Sequence, residues 1–280
     1  FIPINLTLCS FIIGVMGGMN WMTMDTWANI VSNDQNRGKA IGLYNSSISI
    51  GFAIGPLIVA IFGTQGLFPI LLSLLLMTIR VPALHVIKVH INNVKIPKQD
   101  IKISFSFIKL APFVFVAIFI SGINDSSFSA LFPAFMINEL FSDRSIGLYF
   151  SIGLFGGVIS QPFVGALTDK VDKRKFLFIL LICHIIWPLF LFNFIYIPLI
   201  IVLSVIIWGF ANISLYTVAL AYLGERVSLK EISIATSLFI IIFESGAFFG
   251  PIIVGLSMNS YGNSGFIYSI LLITSLSLFV

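Results

Sequence analysis

Apolar residues in this chain come in runs of about twenty or more, broken by short polar gaps. None of these runs alternates apolar and polar positions over a strand's length. A helix needs about 20 mostly apolar residues to cross a hydrocarbon core, whereas a barrel strand needs only about ten in strict alternation. The pattern therefore predicts helices, at about 3–30, 39–63, 66–87, 105–137, 145–168, 176–193, 196–224, 233–258 and 263–280. Several exceed the minimum length, as tilted or kinked spans do. Pro69 and Pro82 should bend the third without ending it. The longest polar stretch, Lys88 to Lys102, reads as a linker between two helical bundles.

Composition supports the same reading. Of 280 residues, 58% are hydrophobic and 9% charged, against roughly a quarter charged in a soluble domain. Mean hydropathy is +1.08, so lipid must solvate much of this surface. The formal charge of +4 does not form a nucleic-acid-binding face, because the basic residues sit in the gaps between apolar runs. Arg37 and Lys39 share one gap. Arg80, Lys88, Lys95, Lys98, Lys102 and Lys109 share the next, Lys170, Lys173, Arg174 and Lys175 a third, and Arg226 and Lys230 a fourth. Those gaps are alternate junctions and hold fourteen of the fifteen basic residues, leaving only Arg144 on the other side. The positive-inside rule makes them cytoplasmic and puts the C-terminus inside. Cys9 and Cys183 lie in apolar segments and suit neither a disulfide framework nor a metal site. No basic n-region with a cleavage site follows Phe1.

An internal repeat fixes the organisation further. Residues 51–61, from Gly51 through Gly55 and Pro56, match residues 246–256, from Gly246 through Gly250 and Pro251, at five of eleven positions. The copies fall in the second and eighth visible spans and run the same way, as in parallel repeats about an axis along the membrane normal. A six-span repeat seen within nine spans implies twelve in all, with three preceding Phe1.

Gly165 to Lys175, with Asp169, Lys170, Lys173 and Arg174 in register, resembles the loop signature G-x-x-x-D-(R/K)-x-G-(R/K)-(R/K) of the major facilitator superfamily. Asp172 stands where that pattern has its middle glycine. Gly51, Gly55 and Pro56 resemble the family's span-five motif, with Val59 and Ala60 in place of its final glycine pair. The segment Asn36 to Ala40 resembles the usual start of that span. The resemblance covers the whole chain. It implies an all-α membrane protein with nine transmembrane helices matching spans 4–12 of a twelve-span, two-bundle carrier. Residues 1–87 would complete the first bundle, 88–104 would form the cytoplasmic linker and 105–280 the second bundle. The function it implies is proton-coupled secondary active transport of a small molecule by alternating access, with a lean to export of drug-like or metabolite substrates. Those antiporters usually carry an arginine near the start of span four, where Ser10 stands here. Uptake of a sugar or organic anion is the alternative, as is a transport-inactive fragment. The expected setting is the cell membrane, with small-molecule substrate, protons and lipid as partners, and no cofactor, nucleic acid or enzymatic activity. No H-E-x-x-H, C-x-x-C or phosphate-binding loop occurs.

Carboxylates inside spans are costly and functional by default. Asp25, near the cytoplasmic end of the first span, shares a helical stripe with Trp21. Asp125 follows Asn124 deep in the fourth span, and Glu244 lies near the middle of the eighth. Trp208, Asn212 and Tyr216, four apart, line one face of the seventh. Within the family resemblance, Asp25, Trp21, Asn124, Asp125, Trp208, Asn212, Tyr216 and Glu244 become candidates for the substrate or proton pathway. Gly165, Asp169, Lys170, Lys173, Arg174, Gly51, Gly55 and Pro56 become candidate gating residues. Asp169 is expected to cap the start of the helix beginning near Arg37, with Asp34 pairing with Lys173 or Arg174. His184 reads as a packing residue.

Overall fold

The computed structural model describes residues 4–33, 35–62 and 106–278, with scattered positions between 67 and 78. The third expected span and the linker lie outside the described residues. Every described element is helical: α1 (Ile4–Val31), α2 (Arg37–Phe62), α3 (Ser106–Leu110), α4 (Pro112–Asn138), α5 (Asp143–Thr168), α6 (Lys173–Phe194), α7 (Pro198–Arg226), α8 (Ile232–Tyr261) and α9 (Gly265–Ser277), with a single 3-10 turn, Gly262–Ser264, between the last two. At 1.5 Å per residue, the long helices exceed the ~30 Å hydrocarbon core.

Among the described residues, five stretches are long and apolar enough to cross a membrane: 112–138, 144–168, 173–194, 198–226 and 232–276. The last spans both α8 and α9. The expectation of nine spans is thus neither reached nor excluded among the described residues. The span expected over 105–137 is not continuous. It breaks at Ala111, whose φ of −145° and ψ of 60° leave the helix, and restarts on Pro112. Proline suits a first helical position because its missing N–H would find no partner there anyway. Pro133, Pro162, Pro188 and Pro251 lie inside helices that continue through them.

Glycines decide which helices touch. A Cβ on Gly122 of α4 would strike the carbonyl oxygen of Phe243 on α8, and one on Gly246 of α8 would strike that of Phe119 on α4. Gly153 and Gly209 bring α5 and α7 together in the same way. Such close approach replaces hydrophobic driving force, which lipid does not supply between helices. The result is a bundle of α4 to α9, against which α1 packs through α8 and α2 through α5 and α7. At one end, Phe128, Phe132, Trp187, Trp208 and Phe266 form an aromatic core. The basic ends of α2, α5, α6 and α7 gather at the other.

Candidate functional site: a sealed basic end and a two-carboxylate cavity

At the basic end, α2 meets α5 through backbone contact. A Cβ on Gly38 would lie 2.6 Å from the Gly165 carbonyl oxygen, and one on Gly42 would lie 2.7 Å from that of Gln161. This closeness sets the Asp169 carboxylate on the first turn of α2. Oδ1 accepts the Gly38 N–H at 2.6 Å and Oδ2 accepts the Lys39 N–H at 2.9 Å. Both donors lack partners inside their own helix, and the positive end of the helix dipole attracts the charge.

The other residues expected to act at this end have the following surroundings among the described residues. Lys173 pairs with Glu225 of α7 at 2.7 Å, because its buried side chain points into the bundle; Asp34 lies outside the described residues. Arg174 stands over the Phe113 ring at 5.9 Å, a cation–π contact at the start of α4. Gly51 is exposed and no described residue approaches its Cβ position, whereas Gly38 and Gly42 make the close contact of α2 with α5. Lys170 is exposed. Gly55 and Pro56 lie within α2, their surroundings outside the described residues. Asp172 needs no glycine conformation. It has φ −64° and caps α6, accepting the Lys175 N–H at 2.9 Å. That backbone bond holds its carboxyl below the usual carboxylate range.

Between the bundle and α1 and α2 lies a cavity of about 360 Å³. Trp21, Asp125, Asn212, Tyr216 and Glu244 line it, together with Asn45, Ser49, Phe52, Ser121, Ser126, Ser129 and Phe243. Its charged lining residues are Asp125 and Glu244. Asn212 donates to Asp125 Oδ1 at 2.8 Å, and its own Oδ1 accepts from Ser121 at 3.2 Å. Tyr216 accepts the Trp21 indole N–H at 3.0 Å and donates to the Asp25 carboxylate.

Three pathway candidates are not on this wall. Asp25 is fully buried behind Tyr216, covered by α7. Asn124 turns away toward α9, donating to the Ile120 carbonyl at 3.1 Å and to Thr274 at 3.5 Å. Trp208 is 1% exposed and stacks on Phe128 with ring centroids 3.5 Å apart. Its stripe with Asn212 and Tyr216 drifts off the cavity into the aromatic core.

Sequence reading missed the polar seam between these features. Asn45 of α2 donates to Thr217 of α7 at 2.7 Å, and Thr217 donates to Gln161 of α5. Single polar residues at helical spacing give no sign of such a partnership. It joins three helices far apart in sequence, and it lies between the cavity and the Asp169 contact.

A sequence profile of the Major Facilitator Superfamily matches residues 1–103 and 114–280. The chain belongs to that superfamily. It is a multi-pass helical membrane protein of a carrier family. Among curated relatives it is similar to the uncharacterized MFS-type transporter YcaD of Escherichia coli O45:K1, at 22% identity over 91% of this chain and 65% of the relative. It is similar also to YE1530 of Yersinia enterocolitica, at 24% identity over 91% and 65%. YfkF of Bacillus subtilis matches at 23% over 96% of this chain and 69% of its own length. The chain thus spans about two thirds of the length of these relatives.

Proposed function

We propose that this chain forms most of a secondary carrier that moves a small molecule by alternating access, with Asp125 and Glu244 binding substrate or protons. The observation that carries the reading is the cavity itself. It holds two carboxylates and a tyrosine–tryptophan wall where two groups of helices meet, and none of the described residues lining it is basic. An anion would meet repulsion there, so a neutral or cationic amphipathic substrate fits better than an organic anion. Proton coupling follows from the same pair, because a cation and a proton compete for one carboxylate, and that competition favours export against an inward proton gradient. The basic end is cytoplasmic in this reading, the helices α1 to α9 correspond to members of spans four to twelve, and the Asp169 contact shuts the cytoplasmic side.

The deciding experiment uses the full protein in proteoliposomes with an imposed pH gradient and a panel of amphipathic cations and neutral drugs. Asp125→Asn and Glu244→Gln should abolish gradient-driven transport while expression and melting temperature stay unchanged. Undiminished transport rates in both variants would reduce the two carboxylates to structural residues.

A further inference from the structure

Behind Asn212, on the side away from the cavity, lies a second ionisable group that the transport reading leaves unused. His184 of α6 is fully buried. Its Nδ1 lies 3.0 Å from the Leu180 carbonyl oxygen, and its Nε2 lies 3.4 Å from Asn212 Oδ1. The same Asn212 donates through Nδ2 to Asp125 at 2.8 Å. A carbonyl only accepts, so Nδ1 must carry a proton to make its bond. In a neutral imidazole Nε2 is then a bare acceptor, and it faces the amide oxygen, another acceptor. The contact becomes favourable in two ways.

In the first, Asp125 is ionised and its oxygens only accept. The amide nitrogen must face Asp125, the amide oxygen faces Nε2, and only a ring protonated on both nitrogens satisfies every partner. In the second, Asp125 is protonated and the amide turns by 180° within the same volume. Its oxygen then accepts the carboxyl proton, and its nitrogen donates to a neutral Nε2. Ser121 bonds either orientation, since a hydroxyl both donates and accepts. The two arrangements hold the same number of protons, one shared between Asp125 and His184. Removing that proton leaves two acceptors face to face in a buried site, which is expensive.

We propose that His184 is proton-linked to Asp125 through the Asn212 amide, so that charge at the cavity wall sets which ring nitrogens of a buried histidine carry protons. His184 touches no cavity surface; it is a positioning residue that acts through Asn212. Other ionisable groups near the network are few. Glu244 of α8 faces Asp125 across the cavity, Cys183 beside the histidine lines an apolar groove between α5, α6 and α7, and α9 offers only the half-exposed Tyr268.

The test is 15N spectroscopy of histidine-labelled protein in lipid nanodiscs, with every histidine other than His184, His85 and His90 among them, replaced by glutamine so that His184 supplies the ring signals. The wild-type ring should show protons on both nitrogens over part of the range between about pH 5 and pH 8. Asp125→Asn should show the neutral Nδ1–H form throughout. Asn212→Leu, which cuts the bridge, should abolish the doubly protonated form with Asp125 still present. That arm serves also if Asp125→Asn fails to fold. Ring signals that are the same in wild type and either folded variant would overturn the linkage. The inference rests on Asp125 as the cavity's protonatable group but requires no transport. Undiminished transport in Asp125→Asn and Glu244→Gln with an intact ring response would defeat the functional reading alone, and abolished transport in them with an indifferent ring would defeat only this one.

Discussion

Replacing Asp169 by asparagine probes how firmly the basic end is shut. The substitution keeps the size of the side chain but removes the charge, and one of its two acceptors becomes an N–H2 group. One bond, to Gly38 or Lys39, is therefore exchanged for a donor facing a donor. A charge partly buried at a helix N-terminus contributes up to about 2 kcal/mol, and a hydrogen bond to a charged group about 1.5–3 kcal/mol. The two descriptions overlap, so about 2 kcal/mol is the expected loss. Because the contact joins α2 to α5 across the interface, that energy belongs only to the state with the basic end closed, and its loss shifts the population by about tenfold or more. The assay is labelling of Ser49→Cys on the cavity wall, with Cys9 and Cys183 replaced by serine. An impermeant maleimide is applied to the basic side in oriented vesicles. The Asp169→Asn protein should react about tenfold faster, and Asp169→Glu, which keeps the charge, should fall between the two. Equal labelling rates in Asp169→Asn and its parent, with folding intact, would refute the clamp.

Gly246→Val should cost about 1–3 kcal/mol or prevent folding, because the new Cβ meets the Phe119 carbonyl; a melting curve matching wild type would show that α4 and α8 do not touch there. The Asp172 carboxyl titrates lower in the folded protein than in the unfolded chain, so its support of α6 is present above the ordinary carboxylate range and is lost as pH falls through its depressed value. Asp172→Asn keeps an oxygen acceptor at every pH, so melting temperatures of the two proteins should converge in acid and separate near neutrality. A cysteine at Lys95 should be protected from an impermeant label outside intact cells while one at Asp143 reacts; the opposite pattern would invert the topology.

The run lengths of apolar residues determined the helices, since any chain segment in lipid must satisfy its backbone internally. The gaps holding Lys and Arg determined that the basic residues fall at alternate junctions. Asp169 was also legible, but only through the family resemblance of its loop, which implies a carboxylate set against the start of the opposite bundle's helix. Rotation about each helix axis was not legible. Asp125 and Asn124 are neighbours, yet one lines the cavity and the other bonds Thr274. Trp208, Asn212 and Tyr216 share a stripe, yet the first stacks in a core while the others face the cavity. Periodicity of polar residues is weak evidence where nearly every position is apolar, so the facing of a helix is settled by where its glycines let a neighbour approach. Gly122 against Gly246 and Gly38 against Gly165 set those contacts. Asp25 meets Tyr216, and Asp125 meets Asn212 and through it His184, pairings between distant residues that only tertiary structure decides, because each depends on two helices being in register at once.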